Sequence, residues 1–341
     1  MIEIISFAII CVVSWLGVGL FLRWSRSRQL LDIPNERSSH VTPTPRGGGL
    51  VIVMVSLASY LIYSLANGQR LMWGYLAGAV LVALISWLDD VYSISFVWRF
   101  LVHSLAAAFV LYDAGAWQSI YLPVFDTKIN LGYFGAVFSF GWIVWLTNAY
   151  NFMDGIDGIS GVQAVTAGIG WLLIGYLVGF SNVYFYGGVL AFSSLGFLLH
   201  NWSPAKIFLG DVGSAFLGFS FAAMPFIGGS EHSGKAAPLP VFAVLLVWFF
   251  VFDTLLTFFS RLLKRRKVWE PHREHLYQKL IISGLSHQTV SLIYGALSIV
   301  IVLALLTARA LRGNFEILLL GIVLFETAAL TVYTFSRKVL T

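Results

Sequence analysis

Apolar runs close to twenty residues long recur along almost the whole chain, and they decide which solvent it folds in. A bilayer core is crossed by about 20 apolar residues in helical form. Eleven runs approach that length, at 2–22, 48–65, 72–88, 98–112, 134–150, 159–180, 183–200, 211–229, 237–262, 288–309 and 315–336. They are long and continuous, whereas the strands of a membrane barrel are short and alternating. Charged residues make up 11% of the 341 positions, against about 25% in a soluble domain, so water cannot be the main solvent. The expected architecture is an all-α polytopic membrane protein with about eleven spans. With no linker, low-complexity stretch or repeat, residues 1–341 read as one domain.

The basic residues orient this bundle. The first apolar run has its positive charges after it and no small-residue cleavage site, so it reads as a retained helix with its N-terminus outside. From that start, the connections after helices 1, 3, 5, 7 and 9 and the C-terminal tail fall inside. They carry 16 of the 21 Lys and Arg residues. The remaining five, Arg70, Lys128, Lys235, Arg309 and Arg312, fall outside, as the positive-inside rule requires. The outer connections are short except for 113–133, where Ile120 to Leu131 suits a small hairpin. Cys11 is the single cysteine, which excludes an intrachain disulfide.

The inner connections are a different kind of sequence. They hold nearly all the carboxylates, amides, histidines and glycines, groups that persist beside lipid mainly where they line a wet cavity or do chemistry. Asp89 and Asp90 end the third run. Adjacent positions do not share a helix face, so one carboxylate can enter a cavity while the other binds a neighbour. Asn148, Asn151, Asp154 and Asp157 follow at three-residue steps, and Gly155 and Gly158 suggest that the helix unwinds among them. That arrangement suits a hard cation or a nucleobase, or an ordinary Asx-rich turn. Asp211 opens the eighth run as a helix cap or as a place to hold Mg2+ against phosphate.

His272, Arg273 and His275 sit in the most basic loop, where a guanidinium can grip phosphate oxygens. Residues 264–267 read as a topology anchor. Gly47 to Gly49 allow either close ligand approach or tight helix packing. Asp253, inside the ninth run, should pair with a basic group or face the cavity. His103 and Glu326 read as packing positions. Walker, Rossmann and Gly-x-Ser-x-Gly patterns are absent, and no nucleic-acid partner is expected. Together the inner groups suit Mg2+-assisted transfer on a phosphate. A transporter or lipid flippase is the alternative, but it calls for ionisable groups near the midplane and broken helices in both halves.

In their order and spacing, Asp89-Asp90, Asn148 to Gly158, Gly210-Asp-Val-Gly-Ser214 and His272-Arg-Glu-His275 resemble the motifs of the polyprenyl-phosphate N-acetylhexosamine-1-phosphate transferases. The resemblance covers about residues 30 to 280. It implies transfer of a sugar-1-phosphate from a UDP-sugar to undecaprenyl phosphate with release of UMP, on the cytoplasmic side of a bacterial inner membrane. It implies Mg2+, with Mn2+ as an alternative, on Asp211 with Asn151 nearby. Asp89 would orient or deprotonate the lipid phosphate with help from Asp90. Asn148, Asp154 and Asp157 would shape the nucleotide pocket, while Arg46, His272, Arg273 and His275 would bind substrate phosphates and sugar. Membrane lipids are the surrounding partner, and a homodimer is compatible with the family.

The peptidoglycan branch has a lysine ahead of its first loop, a lysine-rich stretch after the paired aspartates and three consecutive histidines. Here Arg37, His40, Arg99 and Arg273 stand in those regions. The loop from Pro34 to Gly49 instead resembles enzymes that prime O-antigen or other surface polysaccharides, whose donors are UDP-linked N-acetylated hexosamines.

Overall fold

The computed structural model describes residues 2–34, 42–122, 125, 127–231, 238–267, 272–311 and 315–337. Arg37 and His40 lie outside these residues. Helices dominate: α1 (Ile2–Ser27), α2 (Gly49–Ala66), α3 (Trp73–Tyr92), α4 (Phe96–Ala114), α5 (Phe134–Met153), α6 (Ile159–Val178) and α7 (Ser181–Asn201). After them come α8 (Asp211–Glu231), α9 (Leu239–Leu246), α10 (Trp248–Leu263), α11 (Leu276–Ile282), α12 (His287–Leu311) and α13 (Phe315–Ser336). Among the described residues, nine helices are long and apolar enough to cross a membrane, or ten with the bent α9–α10 pair as one span. The 20-residue α5 is not among them, because Asn148 and Asn151 lower its hydropathy.

The ninth apolar run, expected as one span over 237–262, is broken into α9 and α10 with a bend of 76°. Val247 leaves the helical region between them, with φ −122° and ψ 24°. A break at membrane depth frees backbone groups that must find partners inside the protein. The Gln163 amide of α6 donates to the Leu246 carbonyl at 2.8 Å, and Ser298 of α12 donates to the other end of that amide at 3.0 Å. The expected hairpin is present as β3 (Ser119–Leu122) paired antiparallel with β4 (Thr127–Asn130).

Helix α8 is almost wholly buried and packs against α3, α5 and α2. Small residues let these backbones meet. A Cβ on Gly49 would lie 2.3 Å from Gly213 Cα, and one on Gly218 would lie 2.7 Å from the Leu146 carbonyl. Van der Waals fit between such close helices replaces the hydrophobic driving force that lipid does not supply. Of the two readings of the Gly47–Gly49 run, Gly49 thus serves helix packing. Since α8 begins at Asp211, this central packing fixes where that carboxylate sits.

Candidate active site

Three inner loops are tied together at the start of α8. The first loop returns through a two-residue bridge, β1 (Leu31–Asp32) with β2 (Thr44–Pro45). It then follows the segment before α8: Phe208 N donates to Pro45 O at 2.8 Å, Gly48 N to Phe208 O at 3.0 Å and Gly49 N to Leu209 O at 2.9 Å. Asp90 closes the knot from α3. It is buried, and its two oxygens accept from Asp211 N at 3.0 Å and Val212 N at 3.1 Å. A carboxylate at a helix N-terminus satisfies orphan donors and meets the positive end of the dipole. Gly47 and Gly210 both take positive φ here, +90° and +78°. Arg46 sits in the same knot, with a buried Nε that has no hydrogen-bond partner among the described residues and a charge that acts on Asp90.

Asp89, the neighbour of Asp90, points the other way. Its Oδ2 lies 2.5 Å from Arg99 Nη1, and the same nitrogen lies 2.7 Å from Asp211 Oδ2. Arg99 stands in the first turn of α4, whose N-terminus is capped by the Ser95 hydroxyl. Two carboxylates brought by α3 and α8 therefore converge on one cationic nitrogen from α4. Among the described residues, no three His, Cys, Asp or Glu side chains surround a single point. Mg2+ needs no such cage, since it usually takes one or two carboxylates and completes its shell with water and substrate phosphates. Because one nitrogen reaches both Asp89 and Asp211, their oxygens are within reach of one cation, and the pair fits that ion.

The expected unwinding after α5 is present. The helix ends at Met153, and Gly158 turns the chain with φ +81° before α6. The four polar positions then separate. Asn148 and Asn151 line the cavity described below. Asp157 faces elsewhere, receiving the Ala205 N–H at 3.2 Å and standing 3.4 Å from His287 Nδ1. Burial opposes its charge, but the hydrogen bond and charge of His287, with hydrogen bonds from Ser203 and Ala205, together outweigh it and hold Asp157 below the usual carboxylate range. Burial first, then the charges of Asp211 and Asp157, push Asp154 up to about 7.

The histidine loop is anchored by Asp253, which has no exposed surface. Its Oδ1 accepts from Leu276 N at 2.9 Å and faces His275 Nδ1 at 3.0 Å. Its Oδ2 accepts from Tyr277 N at 3.2 Å and Tyr294 OH at 2.8 Å. Asp253 thus both pairs with a basic group and caps α11 from the neighbouring helix. Arg261, two turns further along α10, is buried and bonds Glu274 and the Lys267 carbonyl. His272 lies beside His275, with ring centres 4.9 Å apart and planes tilted by 35°, and half-buried Arg273 stands between them in sequence. Burial first, then the neighbouring His275 and Arg261, lower His272 to about 4, so its ring is neutral at pH 7.

These elements enclose a cavity of about 490 Å3 between α4, α5 and α10. Arg99, Asn148, Asn151, Arg261, His272 and His275 supply its polar lining, and Phe96, Phe100, Phe140, Trp145 and Phe258 its aromatic wall. Phe96 and Phe100 are about half exposed. Sequence reasoning placed Arg261 with the topology charges and gave Arg99 no task. The signal for Arg261 was available: Asp253, Thr257 and Arg261 recur every four residues and make one polar stripe on α10. For Arg99 the signal was its place as the base that follows Asp89-Asp90, but only the fold brings α3 and α8 to its side.

The geometry agrees with what the chain is similar to. The profile of Glycosyl transferase family 4 matches residues 72–229. A probable undecaprenyl-phosphate N-acetylglucosaminyl 1-phosphate transferase of Bacillus subtilis is 30% identical over 267 residues, covering 77% of this chain and 73% of that protein. A decaprenyl-phosphate N-acetylglucosaminephosphotransferase of Mycobacterium tuberculosis is 33% identical over 297 residues, 76% and 71% of the two chains. A phospho-N-acetylmuramoyl-pentapeptide-transferase of Listeria monocytogenes is more distant, 26% identical over 66% of this chain and 75% of its own. On this similarity, the chain belongs to the polyprenyl-phosphate sugar-1-phosphate transferases of glycosyl transferase family 4.

Proposed function

We propose that the chain transfers an N-acetylhexosamine-1-phosphate from a UDP-sugar to undecaprenyl phosphate, releasing UMP. The observation that carries this reading is the convergence of Asp89 and Asp211 on Arg99, which itself lines a cavity with a basic and amide lining and a half-exposed aromatic wall. Such a cavity suits a substrate with a charged head and an apolar tail. An oxygen of the lipid phosphate attacks the phosphorus that bears the sugar. The bond from that phosphorus to the bridging oxygen breaks, and the bridging oxygen leaves with UMP. Asp89 orients the acceptor phosphate, while neutral His272 donates an N–H to donor oxygens. Asn148 and Asn151 present amides to the same lining. Bound at Asp211, Mg2+ would neutralise charge on the pyrophosphate.

The topology proposed with it has eleven spans, counting α5 and the bent α9–α10 pair as one each. The N-terminus is outside, and the motif loops face the cytoplasm of a bacterial inner membrane. The named N-acetylglucosamine transferases make that sugar the first donor to test. The loop from Pro34 to Gly49 favours a product that begins O-antigen or another surface polysaccharide.

The test is UMP release by the full-length protein in detergent with lipid, across UDP-N-acetylglucosamine, UDP-N-acetylgalactosamine and 6-deoxy analogues. Release that requires both undecaprenyl phosphate and Mg2+, and that Asp211→Asn abolishes in a folded protein, is the expected result. No release from any of these donors would sink the proposal.

A further inference from the structure

The arrangement of Asp89, Arg99 and Asp211 raises a problem of occupancy. Both carboxylates converge on the single nitrogen Nη1, at 2.5 and 2.7 Å. Like charges held so close repel unless a cation stands between them. In this structure the guanidinium is that cation. The oxygens it holds are those that fit a divalent ion, and a second cation placed between the same two oxygens would be repelled by the guanidinium.

Asp90 makes the contrast plain. It belongs to the same dipeptide, yet backbone N–H groups of α8 fix its oxygens, and no change of ligand need disturb them. Asp89 and Asp211 approach each other directly, and what bridges them is a long side chain with about a quarter of its surface exposed. The base of that side chain is rigid, because Ser95 caps α4 one turn before it. Arg99 also borders the cavity that Asn148 and His272 line. Arg99 therefore has somewhere to go: from the carboxylate pair it turns into the space where a phosphate would lie, and guanidinium matches phosphate oxygens well.

We propose that Arg99 is the resident counter-ion of the metal-free site, that it competes with Mg2+ for Asp89 and Asp211, and that once displaced it binds a substrate phosphate in the cavity. The inference rests on the Mg2+-dependent reading of the site. It gives Arg99 two alternating partners, which a fixed structural ion pair does not have. It also couples metal loading to phosphate capture, because the charge freed by one is spent on the other.

The experiment is calorimetric titration of Mg2+ into the full-length protein in detergent, without and with UDP-N-acetylglucosamine, for wild type, Arg99→Gln and Arg99→Lys. Without donor, Arg99→Gln should bind Mg2+ about tenfold or more tightly than wild type. Its melting temperature in EDTA should fall below that of wild type and be restored by Mg2+. With donor present the advantage should shrink, because the displaced guanidinium no longer assists. Arg99→Lys, which keeps one charge, should lie between the two and guards against a folding defect in the glutamine variant. Equal or weaker Mg2+ binding by Arg99→Gln overturns the exchange and leaves the transferase reading standing. Binding of Mg2+ by neither protein, with or without donor, overturns the metal assignment itself.

Discussion

Asp89 and Asp90 are chain neighbours with opposite surroundings, and substitutions should separate them. Asp90 satisfies two backbone N–H groups at the start of α8. Replacing it with Ala leaves these donors unpaired and should cost about 1–3 kcal/mol, seen as a lower melting temperature. Asp89→Asn should change the melting temperature little and remove most turnover. A reversed pattern would show that the two residues have been given each other's tasks. His272 carries a pH signature. It is lowered to about 4 from a usual value near 6.5, so between those values the unfolded chain binds the proton and the folded one does not. Stability therefore rises with pH across that window. A bound pyrophosphate favours the charged ring, so donor binding near pH 5.5 should take up a proton and weaken as pH rises. Calorimetry in two buffers of different ionisation enthalpy reads this uptake, and His272→Gln should abolish it. Uptake unchanged in that variant would place the proton elsewhere.

At the scale of elements, the site is held by helix ends that cap one another. Asp253 of α10 joins the α11 start, His275 and Tyr294 of α12. Removing one partner of such a buried set typically costs on the order of 3 kcal/mol or more. Asp253→Ala should therefore lower the melting temperature and loosen the histidine loop, raising donor KM, whereas a control such as Glu326→Gln should leave donor KM unchanged. Equal donor KM in the variant and wild type would show that the loop is positioned without it. Gly49 makes the matching case for packing. Its added Cβ would strike Gly213 Cα at 2.3 Å, so Gly49→Ala should force α2 away from α8 and reduce both stability and turnover. A fully active Gly49→Ala protein would mean that the two helices separate freely. Asp253 was legible in the sequence as a charge needing a partner, but its capping of α11 was not, because 22 residues separate it from His275. The α9–α10 bend was hidden for a related reason: Leu239 to Phe252, which spans the break, is continuously apolar, and the amide that stabilises the break comes from Gln163 on α6.

Over the whole molecule, hydropathy carried most of the helical architecture. The segregation of polar motifs into alternate connections predicts that they gather at one end of the bundle. The structure joins those motifs there through Asp90 to α8, Gly158 to Asn201 and Asp157 to Ala205. What sequence could not separate was which of Asn148, Asn151, Asp154 and Asp157 share a surface, because even spacing holds only while a helix continues. Sidedness is open to direct test on a Cys11→Ala background. A cysteine at Lys128 should react with an impermeant maleimide from outside intact cells, and one at Arg273 only after the membrane is opened. The reverse labelling would invert the topology. The central claim is a covalent transfer onto a lipid phosphate. The most direct measurement is mass analysis of the lipid after incubating the reconstituted protein with undecaprenyl phosphate, Mg2+ and UDP-N-acetylhexosamines. The account predicts undecaprenyl diphosphate N-acetylhexosamine in amounts equal to the UMP released. UMP without a sugar-bearing lipid, or an unchanged lipid with sugar moved across the membrane, would contradict it.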